Sequence, residues 1–138
     1  MNTVIIYASK TGHTKKIAEA MAKELGVVAQ NITNKPTLTD VDILFIGSGI
    51  YASKVSPEME AYIGSIDSTQ VKKAVLFITS LSGLNQSTNI RDALVHKGIE
   101  VEKEEFICKG KFLLFSRKHP DEEDVSNAAK FAKKVINL

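Results

Sequence analysis

Six residues near the N-terminus, Ser9-Lys10-Thr11-Gly12-His13-Thr14, hold three hydroxyl side chains and a glycine. They follow the apolar run Val4-Ile5-Ile6-Tyr7-Ala8 and precede Ile17, Ala18, Met21, Ala22 and Leu25, which recur at helical spacing. A turn from a buried strand into a helix leaves the first helical N–H groups without intrahelical partners, at the positive end of the helix dipole. Hydroxyls beside those groups can donate to phosphate oxygens without desolvating a full positive charge. Gly12 lets the backbone come close to a ligand. This chemistry suits a terminal phosphate monoester. The same residue types also cap an ordinary strand-to-helix turn, so the loop taken alone supports both readings. Two other phosphate motifs are missing: there is no G-x-x-x-x-G-K-[ST], and no G-x-G-x-x-G follows the first strand. Nucleotide hydrolysis and a Rossmann dinucleotide site are disfavoured accordingly.

Two further segments share this Ser, Thr and Gly character. One is Ser48 to Val55, which with the preceding glycine begins Gly47-Ser48-Gly49-Ile50-Tyr51-Ala52; the other is Ser80 to Ser87, beginning Ser80-Leu81-Ser82-Gly83. Tyr51 is the one aromatic residue in the three loops, able either to offer a flat platform to a ring or to pack against a helix. Cys108 is the lone cysteine, which rules out an intramolecular disulfide and any Cys-x-x-Cys motif, and a packed thiol is the expectation for it. His96 and His119 are expected to be solvated, and no spacing suggests a metal site.

The elements that must position these loops alternate along the chain. Strand-type runs at Val4 to Ala8, Val27 to Ile32, Asp42 to Gly47, Ala74 to Thr79 and Ile99 to Cys108 are separated by helical patterns. The first helix is stopped by Gly26. Another opens at Ser56-Pro57-Glu58 and runs to about Ile66, the next spans about Ser87 to His96, and the last opens at Pro120-Asp121-Glu122-Glu123. Pro36 to Asp40 stands where one further helix is due. This order predicts an α/β fold: a doubly wound parallel sheet covered on both faces, forming one domain over residues 1–138. In such a sheet ligands bind beyond the carboxyl ends of the strands at the switch in strand order, and the three polar loops follow strands one, three and four.

With 138 residues, 43% hydrophobic and 25% charged, the composition is that of an ordinary globular chain. A net charge of +2 is too small to imply nucleic acid or a membrane surface as a partner. The start Met1-Asn2-Thr3 has no basic region and no long apolar stretch, so no signal peptide or membrane span is expected, and the default location is cytoplasmic.

Tyr7-Ala8-Ser9-Lys10-Thr11-Gly12-His13-Thr14, followed by Ile17-Ala18, resembles the T/S-x-T-G-x-T phosphate signature of the flavodoxins. The resemblance implies a flavodoxin-like five-stranded sheet of order 2-1-3-4-5, with the second helix shortened, and FMN as cofactor. Ser9, Lys10, Thr11, Gly12, His13 and Thr14 would then form the phosphate loop, with Lys10 and His13 at its variable positions. Ser48, Gly49, Ile50, Tyr51 and Ala52 would flank the flavin ring, with Tyr51 as its platform. Ser80, Leu81, Ser82 and Gly83 would cover the other ring face. The implied function is an FMN-binding redox protein that transfers electrons to or from a partner oxidoreductase, as a monomer or weak dimer, without membrane insertion. The alternative is a small FMN-dependent oxidoreductase acting on a quinone, porphyrinogen or other tetrapyrrole, because Ile46 to Tyr62 also resembles the flavodoxin-type protoporphyrinogen oxidases. The chain departs from familiar electron-carrier flavodoxins in not being acidic overall. A receiver domain of similar architecture would need acids after strand one and an aspartate after strand three, where Ser9 and Gly47-Ser48 stand.

Overall fold

The computed structural model describes residues 1–9, 12–51, 54–80, 88–109 and 122–137; for Ile50, Tyr51, Lys54, Val55, Ser80 and Lys109 it describes the backbone. The strands are β1 (Thr3–Ala8), β2 (Ala29–Asn31), β3 (Val41–Tyr51), β4 (Lys54–Val55), β5 (Val71–Ser80), β6 (Glu100–Val101) and β7 (Phe106–Lys109). The helices are α1 (His13–Leu25), α2 (Pro57–Gly64), α3 (Thr88–His96) and α4 (Glu122–Ile136), with single 3-10 turns at Ile32–Asn34 and Ser68–Gln70.

The sheet runs β2-β1-β3-β5-β6, with β7 lying beside β5 further along the outer position and β4 pairing with β3. All pairings are parallel except β3 with β4. This is the expected order of five strand positions, β5 filling the fourth and β6 with β7 the fifth. Alternate residues of each central strand feed opposite layers, as the pleat requires. Ile6, Leu44, Ile46, Leu76 and Ile78 pack with Met59 and Ile63 of α2 and Ile90 and Leu94 of α3. Ile5, Phe45, Val75 and Phe77 pack with Ile17, Ala18 and Met21 of α1 and Ala128, Ala132 and Val135 of α4. Strands apolar on both faces are what a parallel sheet between two helical layers demands.

Local signals act where the sequence places them. Ser56 caps α2 by accepting from the Met59 N–H at 3.1 Å, with Pro57 in the first turn. Glu122, Glu123 and Asp124 occupy the first turn of α4. Cys108 is buried on β7.

Several boundaries differ from the sequence reading, and β5 opens at Val71 rather than Ala74. β2 is shorter, and Val28 lies exposed ahead of it. β3 does not stop at Gly47 but continues to Tyr51, because Ser48 and Gly49 still find backbone partners on neighbouring strands, and it then turns back antiparallel so that Ile50 faces Val55 and Tyr51 faces Lys54. The fifth strand is broken. Ala74 faces Val101 and Phe77 faces Phe106, so Val75 and Leu76 oppose the longer stretch Glu102, Lys103, Glu104 and Glu105, which must bulge. Arg91 of α3 braces the bulge, with its Nε 2.9 Å from Glu105 Oε2 and its Nη2 donating to Glu105 and, at 3.0 Å, to the Glu102 carbonyl.

Between the turn at Ile32–Asn34 and β3 the chain has no helix. This coil is held from several sides: the Tyr62 hydroxyl donates to the Pro36 carbonyl at 2.6 Å, Asp40 N–H to Gln70 Oε1 at 2.9 Å, and Asn2 Nδ2 to the Thr39 carbonyl at 3.0 Å. Leu38 packs on the core below. Among the described residues no helix is long and apolar enough to cross a membrane.

Candidate functional site

The sheet register brings the carboxyl ends of β1, β3 and β5 level. Ala8 lies beside Ser48, Ser48 beside Ile78, and Gly49 beside Thr79. Ser9, the N-terminal turn of α1, Ser48-Gly49 and the end of β5 thus converge on one edge of the sheet, at the switch point between β1 and β3 where the strand order reverses.

Gly12 is the N-cap of α1, at φ 88° and ψ −5°, in the left-handed region that glycine enters without strain. A Cβ placed there would meet nothing within 4 Å among the described residues, so the demand at Gly12 is conformational. Its N–H donates to Ser9 Oγ at 2.9 Å and its carbonyl accepts from the Lys16 N–H at 3.1 Å. Among the described residues no side chain caps α1, and its first turn has no acidic residue to compete with an anion. His13 is the first residue of that turn and is half-buried.

Thr14 is turned inward. It is 1% exposed, and its Oγ1 lies 2.7 Å from the Oγ1 of Thr79, itself 6% exposed. Ser48 is fully buried, and its hydroxyl is committed to the protein: it donates to the Gly49 carbonyl at 3.0 Å and accepts from the Ser56 N–H at 3.4 Å, tying the end of β3 to the start of α2. Gly49 pairs with Thr79 in the sheet, and the Ser80 backbone pairs with Lys109. Ile50 and Tyr51 are placed by their backbones alone. Lys10, Thr11, Ala52, Leu81, Ser82 and Gly83 lie outside the described residues.

A cleft of about 170 Å³ opens beside Ser9, lined by Ala8, Asn31, Ile32, Thr33, Ser56 and Glu58. It lies between the carboxyl ends of β1 and β2 and the N-terminus of α2. A larger groove of about 470 Å³, reaching Pro36 and Tyr62, continues from it along α2, where the missing helix leaves room. Thr79, Asn31, Thr33 and Ser56 were not selected from sequence as site residues. Thr79 ends a run read as strand; Asn31 and Thr33 become neighbours of Ser9 through the pairing of β1 with β2, and Ser56 through Ser48 on β3, which lies beside Ala8. Among the described residues no cluster of His, Cys, Asp or Glu could hold a metal ion.

The groups present fit a phosphate-bearing ligand: a left-handed glycine at the start of a helix, the N–H groups of that first turn, and hydroxyls at Ser9 and Thr14. The flavodoxin domain model matches residues 4–119, a span that contains all three converging strand ends. The chain belongs to the flavodoxin domain family. It is 33% identical to an uncharacterised protein of Methanocaldococcus jannaschii, an alignment covering 99% of each chain. Among solved structures it is similar to a flavodoxin from the domain Archaea, with a TM-score of 0.78 at 17% identity over 98% of this chain and 96% of that one. It is also similar to the rubredoxin:oxygen oxidoreductase of Desulfovibrio gigas, with a TM-score of 0.73 at 18% identity, covering 96% of this chain and 34% of the other. At such identities the two structures speak for the fold. The family and the fold together are those of flavin-binding redox proteins.

Proposed function

We propose that this chain binds FMN and passes electrons between that flavin and a partner oxidoreductase, either a reductase or an acceptor. The observation that carries the reading is the meeting of Ser9, Gly12 and Thr14 with Gly49 and Thr79 at one sheet edge. Bound FMN would supply the one- and two-electron chemistry, and the protein's part is binding, orientation and electrostatics. Ser9, Thr11 and Thr14, with the N–H groups of the α1 start, would hold the phosphate, with Lys10 and His13 at the rim. Gly12 would keep the backbone low enough for close approach. Backbone groups of Ser48, Gly49 and Ile50, and the residues Tyr51 and Ala52, would flank the ring on one side, and Ser80, Leu81, Ser82 and Gly83 on the other. Because the Ser48 hydroxyl is spent on Gly49 and Ser56, this residue would serve the ring through its backbone and by fixing where α2 begins.

Titration of the purified chain with FMN, followed by stepwise reduction, tests the reading. Saturable uptake, and reoxidation of the bound flavin by an electron-accepting protein, are the expected results. Failure to take up FMN would remove it. Saturable steady-state reduction of a free quinone would move it to a small FMN-dependent oxidoreductase.

A further inference from the structure

Thr79 ends an apolar strand, 65 residues after Thr14, yet the two hydroxyl oxygens are 2.7 Å apart in a buried setting. A buried strand position next to Ile78 is one that valine would fill well, since valine has the shape of threonine and carries no polar atom to bury. The hydroxyl at 79 therefore has a specific use, and Thr14 is its partner.

Two hydroxyls carry two hydrogens, and one O–H···O contact between them uses one. The other hydrogen belongs to whichever hydroxyl accepts. If Thr79 donates, Thr14 keeps its own hydrogen for a third group, and Thr14 stands in the first turn of α1, whose N–H groups lack i−4 carbonyl partners within the helix. A hydroxyl that accepts one hydrogen bond is polarised into a better donor for the next. Thr79 is well placed to be the fixed member of the pair. Its backbone is locked in the sheet between Gly49 and Cys108, and its branched side chain has few rotamers.

We infer that Thr79 is a positioning residue for the cofactor phosphate: it donates to Thr14 Oγ1 and so turns the Thr14 hydroxyl hydrogen toward the phosphate. The inference rests on the reading that the Ser9 to Thr14 loop holds the FMN phosphate. It also gives the phosphate loop a direct link to the end of β5, the strand that leads into the segment assigned to the ring.

The test compares FMN with riboflavin, which has the same ring and no phosphate, on the full chain and on T79V and T79S. T79V is expected to lose about tenfold in FMN affinity while its riboflavin affinity stays within about twofold, the size of one misdirected hydrogen bond to a charged group. T79S, which keeps the hydroxyl, is expected to restore FMN affinity to within about threefold. Should T79V fail to fold, T79C keeps the shape with a weak donor, and FMN affinity between that of the wild type and a tenfold loss is expected, again with riboflavin unmoved. An equal loss for both ligands would make the pair a structural tie and overturn the inference, as would unchanged FMN affinity in T79V. If the wild-type chain itself shows no preference for FMN over riboflavin, the phosphate reading fails first, and that result is distinguishable because it needs no variant.

Discussion

At the scale of single residues, Gly47 illustrates how a close approach can dictate a side chain's absence. A Cβ at this position would lie 2.0 Å from Cε2 and 2.1 Å from Cζ of Phe77, its neighbour in register on β5. The Phe77 ring therefore occupies the space over the glycine, and the strand passes through Gly47 rather than ending there. Gly47→Ala is expected to destabilise the fold by about 1–3 kcal/mol through overpacking, read as a lower urea midpoint. Phe77→Leu in that background should recover part of the loss, whereas strictly additive losses would contradict the contact. The strand-to-helix turn that carries Ser9, Gly12 and Thr14 was legible in the sequence because its signals are local. Gly47 and Thr79 were not, because the roles of both are set by partners 30 and 65 positions away in the chain.

At the scale of elements, the coil that replaces a helix before β3 depends on side-chain bonds to its backbone rather than on helical ones. Lys35 and Asp40 both sit at positive φ, 48° and 47°, which non-glycine residues adopt only where the surroundings hold them. The Tyr62 hydroxyl is one such hold, and partial burial raises its pKa above the usual tyrosine value. Tyr62→Phe leaves the Pro36 carbonyl without that donor and is expected to cost about 1 kcal/mol in chemical denaturation. FMN affinity should stay within about twofold, because the hydroxyl is directed at the coil. A loss of FMN binding without a loss of stability would contradict this division of labour. The alternation of strands and helices, and the replacement of one helix by Pro36 to Asp40, were readable from periodicity and from proline. The extension of β3 was hidden by Ser48 and Gly49, residues of low strand propensity that the sheet recruits through backbone pairing. The break in the fifth strand was hidden because its charged residues alternate as an exposed strand's would. Only Arg91 and the register of β5 reveal that they bulge.

At the scale of the whole molecule, charges pin the strand ends that lie away from the candidate site. The Asn2 backbone N–H, 2.7 Å from Asp42 Oδ2, and then Lys72 hold Asp42 below the usual carboxylate range; Thr69 does the same for Asp67 through its hydroxyl and backbone N–H. Lys73, 2.7 Å from Glu102, lowers that carboxyl and is itself raised. A carboxylate held low contributes stability that is fully present above its unfolded pKa, near 4, and is lost as pH falls through its lower folded value. A lysine held high contributes below its unfolded pKa, near 10.4, and loses that contribution as pH rises through its higher folded value. Stability is therefore expected to be flat around neutrality, to fall below about pH 4 and to fall again above about pH 10. Glu102→Gln should weaken both limbs. An acid limb unchanged in Glu102→Gln would contradict the role given to that pair. The overall order of the sheet was legible at this scale, because alternation and handedness leave few topologies open. The network of charges was not, since it joins residues such as Asn2 and Asp42 that only the fold brings together.

The central claim is that the edge formed by Ser9, Gly12, Thr14, Gly49 and Thr79 holds the phosphate end of a flavin. Parallel titrations of the purified chain with FMN and with riboflavin, followed by flavin fluorescence, test it most directly. The expected result is saturable binding of one FMN per chain, with riboflavin bound at least about tenfold more weakly because the helix start and its hydroxyls have no anion to meet. Equal affinity for the two flavins, or no saturable binding of FMN, would contradict it.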